Sequence, residues 1–298
     1  MVSNLKKLWH GEKFFAWILL APASIVLLGI RMWPLLQGLG SSFTNRRLLG
    51  GGNLRFIWFE NYIRLFGDRE YWSVASFTII YTLGVVLASY LLGLVIALLM
   101  NMDIKHRGIF RTILMIPWVI PSVVVAYIWR YALNDQLGII NIMLRSIGLI
   151  DVPVGFLASI FSAQISVILV AAWRNYPFMG LVLLAGLQNV SQEIKEAARI
   201  DGANVFQVFW HVVWPELRGV TVMCTTLMFI WTFNNFDHIF LLTGGGPNRA
   251  TNILSILAYQ EAFMRGNMGY ASSMASFMLL FMLVVTTVYM KLIRGKDF

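Results

Sequence analysis

Five long stretches of this sequence contain no formally charged residue, and they constrain the fold more than any other feature. Residues 71–102 form a stretch of 32, residues 266–290 one of 25 and residues 152–173 one of 22, while 112–129 and 219–236 contain 18 each. A helix needs about 20 apolar residues to cross a bilayer. The chain is 58% hydrophobic and 12% charged, whereas soluble domains have about 45–50% and about 25%. These features predict an all-α integral membrane protein.

Hydropathy along the chain predicts six transmembrane helices. They cover residues 14–38, 73–100, 109–133, 157–187, 217–242 and 270–292. The predicted organisation is an N-terminal segment (1–13), a six-helix transmembrane domain (14–292) with a long loop at 188–215, and a C-terminal tail (293–298). An even number of spans places both termini on the same side of the membrane.

The basic residues indicate which side that is. If both termini are cytoplasmic, the inside segments contain 12 Lys and Arg residues, whereas the opposite orientation places 8 inside. Cytoplasmic loops carry the excess of positive charge, so both termini are predicted to be cytoplasmic. The net charge of +9 is spread between apolar blocks and forms no single basic stripe, so nucleic acid is not expected as a partner.

Motifs of catalysis and of cofactor binding are missing from the sequence. No G-x-x-x-x-G-K-[ST] phosphate loop occurs, the four histidines form no H-E-x-x-H pair, and no serine lies in a G-x-S-x-G turn. The single cysteine, Cys224, excludes a disulfide and a cysteine-based zinc site. We therefore expect no enzymatic activity, and neither a metal nor a cofactor bound to this chain.

Prolines lie inside two of the predicted spans. Pro117 and Pro121 are four residues apart in the third span, and Pro177 interrupts the fourth. Each proline removes a helix hydrogen bond and predicts a kink, which a membrane helix tolerates where other groups or water satisfy the freed carbonyl. The kinks are interpreted either as ordinary packing features or as the lining of a hydrated central cavity.

Polar side chains cluster in the outer half of the fifth span. Asn234, Asn235, Asp237 and His238 directly follow Phe233, and such groups are costly in hydrocarbon. They are predicted to face protein or a polar passage. Aromatic rings beside amides suit a sugar, which has apolar faces and many hydroxyls. Hydrogen bonding between helices is the alternative explanation.

The loop between the fourth and fifth spans has the pattern of a compact helical element. Ser191 is predicted to cap a short helix and Gly202 to end it in a left-handed conformation. Residues 206–213 are predicted to form a second amphipathic segment before Pro215. On the cytoplasmic face, such an element is predicted to dock a partner.

The same loop resembles the permeases of ABC importers, which carry E-A-A, three residues, G, nine residues and I-x-L-P at this place. Glu196 begins the triplet, Gly202 follows at the expected distance, and Val212 and Pro215 match the end of the pattern. Trp214 stands where the family has leucine, a departure that concerns only the local packing.

Further motifs resemble the carbohydrate-uptake (maltose-type) class of these permeases. The loop reads E-A-A-x-x-D-G-A, and the class motifs F-N-x-F, L-T-x-G-G-P and a stretch similar to G-x-A-x-A occur at 233–236, 242–247 and 269–273. L-T-x-G-G-P is typical of the MalF-type member of the two-permease pair. The resemblance extends from about the second span to the end of the chain and, more loosely, over the first span.

The resemblance implies two sets of functional residues. Five residues of the loop would act as a coupling helix that transmits motion from an ATPase: Glu196, Ala197, Ala198, Asp201 and Gly202. Eight residues would line the substrate pathway: Trp118, Ser122, Arg174, Asn175, Trp231, Thr232, Asn235 and Asp237.

Two interpretations of Arg174 stay open, because it places a positive charge near the middle of the membrane. In the first, Arg174 pairs with Asp237 or with backbone carbonyls. In the second, it binds an anionic substrate such as a uronate, a sulfo-sugar or a glycerophosphate.

The resemblance also implies a bacterial inner-membrane protein that works by alternating access. Its expected partners are a second permease subunit, two ATP-binding cassette subunits that bind ATP and Mg²⁺, an extracytoplasmic solute-binding protein, a sugar substrate and the lipid bilayer. An ion-coupled secondary transporter or channel is the alternative, but it would need more ionisable residues in the spans. A purely structural scaffold would explain neither the loop nor the kinks.

Overall fold

The computed structural model describes residues 15–49, 53–102 and 105–294. The predicted segment 1–13 and the end of the predicted tail, 295–298, lie outside the described residues. The described residues form helices, loops and an isolated antiparallel bridge between Thr44 and Phe56, which confirms the all-α class. The helices are α1 (Phe15–Ser41), α2 (Glu60–Gly67), α3 (Arg69–Asn101), α4 (Arg107–Val119), α5 (Ser122–Ala132), α6 (Ile139–Ser146), α7 (Ile160–Asn189), α8 (Gln192–Ile200), α9 (Val205–Val208), α10 (Trp214–Phe233), α11 (Asp237–Thr243), α12 (Leu254–Tyr259) and α13 (Met268–Arg294).

Four of the six predicted spans are single helices that are long and apolar enough to cross a membrane, namely α1, α3, α7 and α13. The predicted third span is instead the pair α4 and α5, which are bent by 91° relative to each other. The predicted fifth span is also broken, because α10 ends at Phe233 and α11 begins at Asp237. The predictions of one continuous helix over 109–133 and another over 217–242 are therefore wrong.

Proline explains the bend between α4 and α5. Pro121 has no backbone N–H, and its ring disfavours a helical conformation at the preceding residue. Ile120 accordingly has an extended backbone, with φ −65° and ψ 131°, so the kink predicted here is confirmed as a sharp turn. Pro177, in contrast, is buried inside α7, which continues through it, and the kink predicted there stays a prediction. One missing hydrogen bond is tolerated in a helix that neighbouring helices hold in place.

Side-chain caps determine where the two longest helices begin. The Asp68 carboxylate accepts hydrogen bonds from the backbone N–H groups of Glu70 and Tyr71, at 2.9 and 3.3 Å, at the start of α3. The Ser159 hydroxyl accepts one from the N–H of Ser162, at 3.3 Å, at the start of α7. Each cap satisfies N–H groups that a helix leaves unpaired at its N-terminus, so α3 begins four residues before the predicted span and α7 begins three residues after it.

The contacts of the chain divide it into two compact units. The first unit comprises Met1–Gly67 and Ala258–Leu279. Within it, the side-chain amide of Asn61 donates to the carbonyls of Ser42 and Thr44, at 2.8 and 2.9 Å, and holds α2 against the end of α1. Buried Glu261 accepts from the side chains of Arg265 and Asn267, so this carboxylate is neutralised inside the unit.

The second unit, Asp68–Leu257 together with the chain from Leu280, is organised around the pairing of α3 and α7. These helices run parallel, since Gly84 faces Ile168 while Gly93, further along α3, faces Gly180. A Cβ atom on Gly93 would lie 2.6 Å from the Met179 Cβ and 2.8 Å from the Gly180 nitrogen. Glycine therefore permits a helix–helix approach that no side chain would allow.

Two clusters of buried apolar residues lie along this helix pair. Core 1 consists of Phe77, Tyr81, Val85, Val125, Ala126, Leu133, Val167, Val170, Ala171, Ile239, Leu242, Ile253 and Ile256. Core 2 consists of Tyr90, Ala97, Met100, Met179, Leu183, Leu184, Leu187, Val208, Val213, Leu217, Cys224 and Met228. Core 1 holds α5 and α11 against the N-terminal halves of α3 and α7, and core 2 holds α9 and α10 against their C-terminal halves.

Substituting Gly93 by alanine should lower the thermal stability of the purified protein. The added methyl overlaps with α7, and overpacking of this kind costs about 1–3 kcal/mol. The matched control is Gly219→Ala in α10, where an added Cβ meets nothing within 4 Å, and alanine should raise stability by about 0.5–1 kcal/mol. Unfolding temperatures measured in detergent test both; a Gly93→Ala protein at least as stable as wild type would contradict the close approach.

Candidate functional site

The first part of the candidate site is the helical element between α7 and α10, which we call the coupling segment (residues 191–213). Helix α8 ends at Ile200, and Gly202, two residues later, has a left-handed φ of +87°. The N–H of Gly202 donates to the carbonyl of Arg199 at 3.1 Å, and the N–H of Ala203 donates to the carbonyl of Ala198 at 3.0 Å. These two bonds form a Schellman motif. The predicted left-handed end of the helix is confirmed.

A capping box begins the second half of the coupling segment. The Asn204 N–H donates to the Gln207 side chain at 2.8 Å, and the Gln207 N–H donates to the Asn204 side chain at 2.9 Å. The backbone then stays helical through a wider π-turn at Phe209–Val213 into α10. Ser191 precedes α8 as predicted, but its side chain makes no capping bond, so that part of the prediction is wrong. The segment is held by its own backbone geometry.

The coupling segment presents both charge and apolar surface to its surroundings. Four of the five predicted coupling residues are exposed, and Ala198 is the half-buried one that packs with Ala203 against core 2. Glu196 accepts a hydrogen bond from Gln192 at 2.9 Å. Apolar residues stand beside these charges: Ile200, Val205 and Phe206 are 86%, 78% and 76% exposed. Exposed apolar side chains on an ordered, polar surface are typical of a protein docking site.

The second part of the candidate site is the break between α10 and α11. Helix α10 ends at Phe233, and the next residues with helical hydrogen bonds begin at Asp237. Thr232 is buried, Asn235 is half-buried, and neither the Thr232 hydroxyl nor the Asn235 side-chain oxygen has a hydrogen-bond partner within the described residues. The break therefore supplies polar groups that the fold itself leaves available.

Three aromatic rings from three helices lie side by side near this break. The Phe178 ring of α7 is 6.1 Å from the Trp118 ring of α4 and 4.9 Å from the Trp231 ring of α10. Trp118 and Trp231 are 42% and 48% exposed. Two accessible indole faces joined by a third ring offer apolar surface of the kind that stacks on a sugar ring.

Four hydrogen-bond donors lie in or next to core 1, and we call them the donor cluster: the buried Tyr81 and His238 and the half-buried Trp129 and Arg174. Tyr81 is 0% and His238 1% exposed. The Tyr81 hydroxyl, the Trp129 Nε1, the Arg174 Nε and both His238 ring nitrogens have no hydrogen-bond partner within the described residues. The Trp129 ring packs edge-on against Trp173, the residue before Arg174, at 5.2 Å.

Electrostatics connects three members of this cluster, Tyr81, Arg174 and His238, whereas Trp129 adjoins it through the contact of its ring with Trp173. Arg174 interacts electrostatically with Tyr81, Asp237 and His238. Asp237 is exposed in the first turn of α11, where the helix dipole favours a carboxylate. Arg174 nevertheless forms no ion pair and no hydrogen bond within the described residues. Each unsatisfied buried polar group costs about 1–3 kcal/mol, so the cluster destabilises the fold unless something else satisfies it.

The structure brings together most of the residues predicted to line a pathway, but not all of them. Ser122 begins α5 beyond the proline turn and Asn175 follows Arg174 in α7; both are half-buried and make no side-chain hydrogen bond. Sequence analysis missed Phe178, Tyr81 and Trp129, which no sequence motif marks, because only the packing of α3, α5 and α7 places them there. In the described part of the chain no group of three or more His, Cys, Asp or Glu side chains could hold a metal ion.

A tightly bonded loop follows α11 at residues 243–252. The Thr251 hydroxyl donates to the carbonyl of Gly246 at 2.6 Å and shares a hydrogen bond with the Thr243 hydroxyl at 2.7 Å. Arg249 forms an ion pair with Glu70 at the start of α3. A Cβ on Gly245, whose φ is +89°, would lie 3.0 Å from Asn252. The loop that contains the L-T-x-G-G-P motif therefore connects the end of α11 to the start of α3, through the ion pair of Arg249 with Glu70.

Comparison with known proteins gives concordant results. Residues 89–296 match the family described as "Binding-protein-dependent transport system inner membrane component". The chain is 33% identical over 297 residues to the trehalose/maltose transport system permease protein MalF of Thermococcus litoralis, covering 99% of each chain. It is 32% identical over 287 residues to the sulfoquinovosyl glycerol transport system permease protein SmoG of Agrobacterium fabrum, covering 96% of this chain and 92% of that protein.

One solved structure resembles this chain over almost its whole length. It is a chain of a bacterial ABC transporter involved in the import of the acidic polysaccharide alginate, with a TM-score of 0.83 and 21% identity, covering 98% of this chain and 100% of that one. At this level of identity the likeness concerns the fold.

Replacing Gly202 by alanine should loosen the coupling segment. An L-residue held at φ +87° is strained by about 1–2 kcal/mol, so amide hydrogen exchange across residues 191–213 should become several-fold faster. Gly148→Ala is the matched control, because Gly148 has φ +72° and the same open space around its Cβ position but lies in another loop. Unchanged exchange in the coupling segment of the Gly202→Ala protein would show that the left-handed turn does not hold it.

Proposed function

The chain belongs to the family of binding-protein-dependent transport system inner membrane components, in the group of sugar ABC importer permeases, and we propose that it forms one half of the translocation pathway of an ATP-driven importer for a sugar or sugar derivative. It is an all-α protein of the inner membrane, and members of its family are permease subunits, not enzymes. Family membership sets aside the alternative of an ion-coupled transporter or channel.

The coupling segment is the observation that carries this proposal. It combines two ordered turns, the Schellman motif at Gly202 and the capping box at Asn204. Beside them stand exposed Glu196 and the exposed apolar residues Ile200, Val205 and Phe206. A lone loop between two spans needs neither the rigidity nor the apolar surface. Both are expected of an element that docks into a cytoplasmic ATPase subunit and moves with it.

We propose the following partners for the assembled importer. A second permease subunit supplies the other half of the pathway, two ATP-binding cassette subunits bind ATP and Mg²⁺, and an extracytoplasmic binding protein delivers the sugar. A solved structure with a TM-score of 0.78 and 20% identity is an alginate transporter in complex with a periplasmic protein carrying an alginate pentasaccharide, which supports such an arrangement. Helix α1 also favours a partner or lipid around it, since none of its apolar window is buried.

In this proposal both termini and the coupling segment are cytoplasmic, as the distribution of basic residues predicts. ATP binding draws the ATPase subunits together and moves the coupling segment, which belongs to core 2 through Val208 and Val213. The bend at Pro121 and the break after Phe233 are the places where helices lack continuous hydrogen bonding and could change angle. In alternating access the importer has two arrangements of its helices. The ATPase subunits bind nucleotide with different affinity in each, and that difference shifts the equilibrium between the two arrangements.

The substrate would pass along the break between α10 and α11. The accessible rings of Trp118 and Trp231 would stack on sugar faces, and the unpartnered groups of Thr232 and Asn235 would bond its hydroxyls. Asn175 and Ser122 would contribute further hydrogen bonds from α7 and α5. No covalent chemistry takes place on this chain.

Substituting Val205 by asparagine should weaken association with the ATP-binding cassette subunit. Burying one exposed valine contributes about 1.5 kcal/mol, so the dissociation constant should rise about tenfold. Val152→Asn is the matched control, because Val152 is 74% exposed but lies in the loop predicted on the opposite side. Binding of the ATPase subunit to nanodisc-embedded protein checks both variants. Equal affinities for the two would contradict docking at the coupling segment.

Reversing the charge of Glu196 should uncouple ATP hydrolysis from uptake. Glu196 is exposed and bonds only Gln192, so Glu196→Lys should insert and fold normally while uptake falls at least tenfold and ATP hydrolysis no longer responds to the binding protein. The control is Asp151→Lys, an exposed carboxylate on the opposite side by prediction. Paired measurements of uptake and ATPase activity in proteoliposomes decide; import at the normal rate by Glu196→Lys would refute the assignment.

A further inference from the structure

We infer that the donor cluster, Tyr81, Trp129, Arg174 and His238, is a binding site for one anionic group of the transported sugar, such as a carboxylate, a sulfonate or a phosphate ester. The inference rests on the proposed function and specifies the chemical class of its substrate. It predicts that a sugar acid or an acidic sugar derivative is imported in preference to its neutral counterpart.

Donors predominate in the cluster, although the Tyr81 hydroxyl and the neutral His238 ring can also accept a hydrogen bond. Arg174 offers only N–H donors and a permanent positive charge, the Trp129 indole is a donor only, and the Tyr81 hydroxyl and the His238 ring each carry a proton to donate. All of these groups lack a partner within the described residues. A set of unused donors around a cation matches a ligand that brings acceptor oxygens and a negative charge.

Several other arginines of the chain have a partner within the fold. Arg249 forms an ion pair with Glu70, and Arg265 forms one with buried Glu261. Arg107 donates instead to the backbone carbonyl of Met102 at 2.8 Å, and Arg64 lies 3.9 Å over the Tyr270 ring. Arg174 is the contrasting case: it is half-buried beside core 1 and has no such partner within the described residues.

Asp237 does not take the place of the missing anion. Its carboxylate is exposed at the start of α11, where the helix dipole stabilises it, and it interacts with Arg174 electrostatically without forming an ion pair. Solvent screens an exposed charge more than a buried one. The charge of Arg174 is therefore only partly balanced, and Tyr81, Trp129 and His238 form no side-chain hydrogen bond with Asp237 within the described residues.

The site combines a half-buried cation with almost fully buried donors, since Arg174 is half-buried while Tyr81 and His238 are 0% and 1% exposed. In the proposed site the anion meets the guanidinium from the pathway. A guanidinium binds carboxylate, sulfonate and phosphate groups through paired N–H donors in a fixed geometry. A neutral hydroxyl in the same place would leave the buried positive charge uncompensated, so the anion should bind at least about tenfold more tightly.

The test uses the full chain, purified with its partner subunits in lipid nanodiscs, and four probes that differ only at carbon 6: glucose, glucuronate, 6-deoxy-6-sulfoglucose and glucose 6-phosphate. Binding is measured at constant ionic strength. We expect at least one anionic probe to bind wild type about tenfold more tightly than glucose. Arg174→Gln should abolish that preference, because it should weaken binding of the anionic probes at least about tenfold more than binding of glucose. Tyr81→Phe, which removes only the hydroxyl, should reduce the preference several-fold.

Arg130→Gln is the matched control, because Arg130 is an exposed arginine of α5 outside the donor cluster and the change in charge is the same. It should keep the preference of wild type. The inference is overturned if no anionic probe binds wild type better than glucose, if Arg174→Gln weakens glucose and the anions equally, or if Arg130→Gln loses the preference as well.

Association with the ATP-binding cassette subunit, measured on the same preparations, separates this inference from the proposed function. Normal association without any preference for anions overturns the anion site alone. Loss of association in the wild-type preparation would count against the proposed function.

Discussion

The hydrocarbon layer offers no hydrogen-bond partner, and this constraint governs the structure of the whole chain. Backbone groups inside it must bond to each other, which leaves helices as the available form for a chain of this kind. Side-chain polar groups face the same requirement. Thr78 illustrates it: its hydroxyl donates to the carbonyl of Val74 at 2.7 Å and accepts from the N–H of Leu254 at 3.0 Å. Within the described residues, several buried polar atoms remain unsatisfied, and those of Thr232, Asn235 and His238 lie at the break between α10 and α11.

Close packing of α3 and α7 provides the rigid part of the second unit. Gly93 and Gly180 let two backbones meet, and dispersion contacts over such an interface stabilise membrane helices where the hydrophobic effect between them is small. The helices with less regular backbones, α4 with α5 and α10 with α11, are attached to this pair through cores 1 and 2. The unit thus has a rigid pair, α3 and α7, and two interrupted pairs packed against it. This arrangement suits a pathway that is lined by the interrupted helices.

Sequence analysis predicted the elements whose signal is local. Apolar length predicted α1, α3, α7 and α13 to within a few residues, and Gly202 predicted a helix end because a left-handed turn there depends on one residue. The breaks at Ile120 and after Phe233 were predicted as kinks or polar stretches inside continuous helices, whereas α7 continues through Pro177. Whether a proline breaks a helix depends on whether groups of neighbouring helices satisfy the carbonyl that the proline leaves without a hydrogen bond. Hydropathy carries no information about those contacts.

The amino-acid sequence by itself determined the membrane class, the coupling segment and the set of residue types available to a sugar, because each follows from composition or from spacing over a few residues. Only the tertiary structure decided that Phe178 joins Trp118 to Trp231, that Trp129 packs against Trp173, and that Tyr81 and Trp129 have no acceptor within the described residues. These residues are separated by tens of positions along the chain and come from different helices. Their proximity is set by the close contact of α3 with α7 and by the packing of core 1, which are properties of the folded helices together.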